Sequence, residues 1–151
     1  MARGDLRSAA RLAAVQALYQ MDLGGKPVGD VIAEHQAHWI GREIDGIEMP
    51  EAEESFFRSI VEGVVADQVP IDRAIDEALA KGWPLKRIEA VLRAILRAGV
   101  FELKNRPDVP LRVIVSEYMR VTDSFYSEQE PAMVNAVLDA IARDIRAGER
   151  N

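Results

Sequence analysis

Apolar residues recur along this chain at the three-to-four-residue spacing of helices. Nowhere do they alternate over two strands joined by a hairpin turn. Seven helical segments follow from that spacing and from the residues that interrupt it. The first runs from about Asp5, a candidate N-cap, to Asp22 and stops at Gly24-Gly25. The second starts after Pro27 and extends to about Trp39, and the polar, turn-rich stretch from Gly41 to Pro50 reads as a surface loop. The third spans about Glu51 to Gln68, with an acidic first turn suited to the positive end of a helix dipole.

Val69-Pro70 marks a mid-chain break. A short fourth helix covers about Ile71 to Lys81 and ends at Gly82. The fifth opens at Pro84, well placed in a first turn, and runs to about Lys104. Asn105 to Pro110 is a turn, and a sixth helix covers about Leu111 to Ser124. Its Val113-Ile114-Val115 run favours a strand by propensity, yet Val115, Tyr118, Met119 and Thr122 recur at helical spacing. The seventh runs from Pro131 to about Ala147, with Met133, Val134, Val137, Leu138, Ile141 and Ile145 on one apolar stripe. The predicted fold class is all-α. It comprises one domain of two packed sub-bundles, about 1–68 with three helices and about 69–151 with four.

Composition narrows the function. At 151 residues, 48% hydrophobic and 29% charged, the chain can bury a core of its own. It has no cysteine, so a disulfide framework and a thiolate metal site are excluded. No apolar run approaches the roughly 18 residues of a membrane helix, and Met1 to Ala10 holds no apolar segment before a cleavage site. A cytoplasmic location is the expectation. The net charge of −6 cuts against nucleic-acid binding, because phosphate contacts from basic groups supply most of that affinity. An RNA-binding role then requires a local basic patch or a basic partner.

Arg3, Arg7 and Arg11 are spaced by four and share one face at the start of the first helix. Past Arg11 that helix is apolar almost all round, so its body is expected to be buried and its arginine-bearing start to project into solvent. Guanidinium forks there suit phosphate oxygens, although a solvated basic terminus has the same spacing. Lys86, Arg93, Arg97 and Lys104 form a second basic stripe on the fifth helix, either a site for RNA or an acidic partner, or simply a solvated face. Near the end of the sixth helix, Tyr118 is expected in the core, while Tyr126 is the ring expected to be exposed for stacking on unpaired bases. His35 and His38 lack a matching carboxylate, so no metal is expected. With no nucleophile beside a base, no glycine-rich phosphate loop and no perturbed carboxylate pair, the chain reads as a non-enzyme needing no cofactor.

Four collinear motifs carry a resemblance. Arg11-Leu-Ala-Ala-Val-Gln-Ala-Leu-Tyr19 resembles the opening "A-x-Q-A-L-Y" helix of the NusB family, and Ile95-Leu-Arg-Ala-Gly-Val-Phe-Glu-Leu103 its "I-L-R-x-A-x-Y-E-L" helix. Asp108-Val-Pro110 is similar to the "D-V-P" that precedes the next helix, and Pro131-Ala-Met-Val-Asn-Ala-Val-Leu-Asp139 to the closing "F-V-N-G-V-L-D" helix. The same fold also heads some ribosomal-RNA methyltransferases, but a chain ending at Asn151 favours the stand-alone factor.

The resemblance implies a seven-helix protein of two bundles that pairs with the ribosomal protein NusE. It also implies binding of single-stranded boxA RNA and action on the transcription elongation complex, so that polymerase reads through terminators in ribosomal RNA operons. A basic NusE would relieve the charge problem. The implied RNA-facing residues are Arg7, Arg11, Gln16, Tyr19, Gln129, Met133 and Asn135, joined by Arg3 and Tyr126 from the residue-level reading. Asn135 has a structural alternative, satisfying backbone groups between helices. Lys86, Leu92 and Arg93 are the implied partner-binding positions, with Lys86 and Leu92 standing where the family is often acidic. Further departures are thinned N-terminal arginines, Met133 in place of phenylalanine and Ala136 in place of glycine. The rival reading is a helical adaptor that binds NusE or another protein without touching RNA.

Overall fold

The apolar periodicity becomes seven helices among the described residues of the computed structural model: α1 (Arg3–Gly24), α2 (Val28–Trp39), α3 (Glu51–Ala66), α4 (Gln68–Ala78), α5 (Ala90–Asn105), α6 (Leu111–Phe125) and α7 (Glu130–Ile145). The structure describes the backbone of residues 3–39, 43–44, 47–48, 51–79 and 88–147, and the side chains of residues 6–36, 54–79 and 88–147. It divides into two compact units, residues 1–66 and 67–151.

In the first unit α1 packs on α3, and α2 packs against both. Ala10, Ala13, Ala14 and Ala17 of α1 are buried with Phe57, Ile60, Val61 and Val64 of α3, small side chains on one helix admitting large ones from the other. The segment expected to be wholly loop holds a two-residue antiparallel ladder, β1 (Glu43–Ile44) with β2 (Ile47–Glu48), Ile44 opposite Ile47. The Asp45-Gly46 dipeptide between two isoleucines is a strong hairpin signal, and periodicity alone passed over it.

In the second unit α5 packs against α4, α6 and α7, burying Leu92, Ile95, Leu96, Val100 and Leu103. A Cβ on Gly99 would lie 3.0 Å from Leu138 Cδ2 and 3.5 Å from Tyr118 Cδ2, so glycine lets α6 and α7 approach here. In α6, Ile114, Tyr118 and Thr122 are buried four residues apart while Val113 is exposed, so packing overrides the strand propensity of that run.

Two helix starts differ from the sequence reading. Asp67 is the N-cap of α4, which places Val69-Pro70 inside its first turn rather than in the break. Proline is tolerated there because a first-turn N–H has no partner within the helix, and the first helical bond runs from Ile71 N–H to the Asp67 carbonyl at 3.1 Å. The fifth helix begins at Ala90, not at Pro84, which lies outside the described residues. Glu89 is extended at φ −54°, ψ 145°, and the Arg93 guanidinium donates to the Ile88 carbonyl ahead of the helix. In α7 the stripe buries Val134, Val137, Leu138 and Ile141, but Ile145 is exposed. No helix among the described residues is long and apolar enough to cross a membrane.

Candidate nucleic-acid interface

Arg7 and Arg11 do share a face of α1, and it is the face turned to α3. The Cζ atoms of Arg7 and Arg11 lie 4.7 and 5.0 Å from the centroid of the same Phe56 ring. Arg11 is only 2% exposed, which corrects the expectation that the arginine-bearing start of α1 projects into solvent. The spacing of four that groups the arginines also aligns them with the buried alanine face, and the ring gives both guanidinium groups a cation–π contact. Arg7 is half-buried and makes no ion pair among the described residues. Farther along α1, Gln16 is exposed and Tyr19 half-buried. The Arg3 side chain lies outside the described residues.

The other RNA candidates belong to the second unit. Tyr126 is half-buried and its hydroxyl donates to Glu89 Oε1 at 2.9 Å, so it is not the freely exposed ring expected. The exposed aromatic is its neighbour Phe125, at 46%, with the two ring centroids 6.4 Å apart. The Tyr126 hydroxyl finds an acceptor on the N-cap residue of α5. Gln129, the N-cap of α7, and Asn135 are exposed, and Met133 is half-buried. The Asn135 amide makes no hydrogen bond among the described residues, so it does not bridge helix backbones there. Tyr118 is in the core as expected, its hydroxyl donating to the buried Glu102 carboxylate.

The basic stripe of α5 is neither a solvated face nor a free phosphate site. Arg97 donates through Nε and Nη2 to the two Asp72 carboxylate oxygens at 2.8 and 2.9 Å, and Lys104 Nζ donates to Asp67 Oδ2 at 2.8 Å. These pairs stitch α5 to α4 and its cap. Arg93 is half-buried and its guanidinium is engaged at the Ile88 carbonyl. Leu92 is 5% exposed, so it serves the core of its own unit, which corrects its expected place on a partner-facing surface. Leu92 and Arg93 lie about 100° apart on the helical wheel, and the apolar side is the one that packs. Lys86 lies outside the described residues.

On the outer side of α4, Val69, Asp72, Arg73, Asp76 and Glu77 line an open, shallow depression of about 470 Å³. Sequence reading missed it, although Asp72, Asp76 and Glu77 fall on one side at helical spacing. His35 is occupied by packing, with Nδ1 at 3.0 Å from the Val31 carbonyl and its ring stacked on Phe57 at 5.4 Å. The described residues contain no group of three or more histidines and carboxylates placed to hold a metal.

Comparison with known proteins gives consistent matches. The NusB family model matches residues 8–143. The transcription antitermination protein NusB of Nitrobacter hamburgensis is 58% identical over 147 residues, covering 97% of this chain and 92% of that one. T. maritima NusB superposes with a TM-score of 0.78 at 24% identity, over 91% of each chain. A crystal structure of the antitermination factors NusB and NusE in complex with double-stranded RNA superposes with a TM-score of 0.76 at 26% identity, over 93% of this chain and 98% of that one.

Proposed function

The chain belongs to the NusB family, and from that premise we propose that it is a transcription antitermination factor. It binds boxA-type single-stranded RNA together with the ribosomal protein NusE, joins the elongation complex and promotes read-through in ribosomal RNA operons. It acts in the cytoplasm, by binding alone and without a cofactor. The observation that carries this reading is the near-full-length match to a relative named for antitermination. A structural neighbour that holds both NusE and RNA supports the choice of partners.

The chemistry divides between two sources of charge. Arg7 offers a guanidinium not committed to a carboxylate, with Arg3, Gln16, Tyr19, Gln129, Met133 and Asn135 as further contacts. Arg11 is too deep to meet a strand directly and holds α1 against α3 instead. Two arginines and a few further side chains are a small footprint for a polyanion on a chain of net charge −6, so basic NusE supplies the remaining attraction.

Fluorescence anisotropy with labelled boxA RNA tests this. The expected result is weak binding by the chain alone and much tighter binding once NusE is added, with preference over a scrambled strand. The adaptor reading is favoured by the internally paired stripe of α5 and the acid-lined face of α4. It predicts that NusE is bound while boxA and scrambled RNA are held equally poorly.

A further inference from the structure

We propose that Phe56 is a positioning residue for RNA binding, its ring holding the Arg7 guanidinium ready for a phosphate. The inference rests on the reading of Arg7 as a phosphate contact. Phe56 is 3% exposed and fixed in the seam between α1 and α3, so its ring is a rigid platform rather than a mobile side chain. Arg7 Cζ sits 4.7 Å from the ring centroid. A guanidinium held over a ring uses its flat face for the contact, whereas its five N–H donors lie in its own plane. The Arg7 donors make no hydrogen bond among the described residues, which leaves them open to an anion.

A salt bridge would do the opposite, turning the donors inward onto a carboxylate, and Arg7 makes none among the described residues. Arg11, its Cζ 5.0 Å from the same ring, is buried and stays with the fold. An arginine left free would have to give up rotamer freedom on meeting RNA; one already held by a ring has less to lose. An aliphatic side chain of similar volume would fill the seam without supplying that hold.

The test is a double-mutant cycle on boxA RNA binding in the presence of NusE, using Phe56→Leu, Arg7→Ala, the double variant and Phe56→Tyr. Phe56→Leu is expected to weaken binding about threefold, and Phe56→Tyr to bind as wild type. In the Arg7→Ala background Phe56→Leu should have no further effect. An equal loss from Phe56→Leu in both backgrounds would mean that the ring acts only through the fold, and would overturn the proposal. Unchanged binding by Arg7→Ala would instead sink the phosphate reading of Arg7, and this inference with it. An NMR measurement remains decisive even if Phe56→Leu fails to fold. The wild-type Arg7 side-chain Nε–H proton should be shifted upfield by the ring, and an unshifted resonance would refute the contact.

Discussion

Arg146, one residue past the end of α7, donates through Nε to the carbonyl of Leu103 in α5 at 3.0 Å. The same guanidinium reaches the carbonyls of Val109 and Arg106, both at 2.7 Å, and of Glu102 at 3.2 Å. The last carbonyls of a helix have no partner within it, and here one buried arginine from another helix serves them and pins the turn that leads to α6. Arg146→Ala should lower unfolding stability by about 2–4 kcal/mol, because the carbonyls of Leu103 and Val109 lose the guanidinium donor, while those of Glu102 and Arg106 keep the backbone N–H groups of Arg106 and Val109. Arg146→Lys should recover only part of this, since an ammonium cannot fan out to four acceptors. Urea denaturation of the three proteins checks both statements.

The Arg97–Asp72 pair has two parallel hydrogen bonds and side chains 11% and 26% exposed, so removing Asp72 takes a charge-assisted pair of bonds from a guanidinium largely shielded from water. Asp72→Ala is expected to cost about 1–3 kcal/mol. The Arg58–Glu62 pair, with both side chains about half exposed, is a contrast on α3, and Glu62→Ala should change stability by less than about 0.5 kcal/mol. Similar losses for the two variants in chemical denaturation would show that burial does not set the difference.

Glu34 offers a pH-dependent prediction. The hydrogen bond from Lys26 Nζ, then the charge on Lys26, holds its carboxyl below the ordinary carboxylate value. A depressed carboxyl contributes stability that is fully present above the unfolded-state pKa. That contribution fades as pH falls through the interval between the unfolded and folded values, and is absent below the folded one. The pair is exposed, so the effect is small and screened by salt. A carbon-13 titration should place the Glu34 midpoint lower in the native chain than in Lys26→Met, and equal midpoints would refute the assignment.

Helices were legible because their apolar faces repeat locally, as at Val134, Val137, Leu138 and Ile141. What escaped depended on side-chain contacts that apolar spacing does not encode, whether near in sequence or far. The start of α5 rests on Arg93 reaching Ile88, and the fan of carbonyls around Arg146 begins 43 residues away, beyond any periodicity. The site divides in the same way. The spacing of Arg7 and Arg11 correctly put them on one face, but that this face meets Phe56 of α3 is a contact that spacing does not carry. Likewise Arg97 and Lys104 read as a stripe, while the acids that consume them lie on α4 and its cap.

Those two arginines now separate. Arg11→Ala should chiefly reduce thermal stability, since it empties a buried position; Arg7→Ala should keep the helical circular dichroism and lose RNA affinity. The most direct test of RNA binding through Arg7 is the slope of log Kd against log salt for the NusE-bound chain on boxA RNA. The wild-type complex should weaken steeply as salt rises, and Arg7→Ala should bind less tightly with a slope shallower by about 0.7, the value for one lost phosphate contact on a single strand. Superimposable lines for the two proteins would contradict the account.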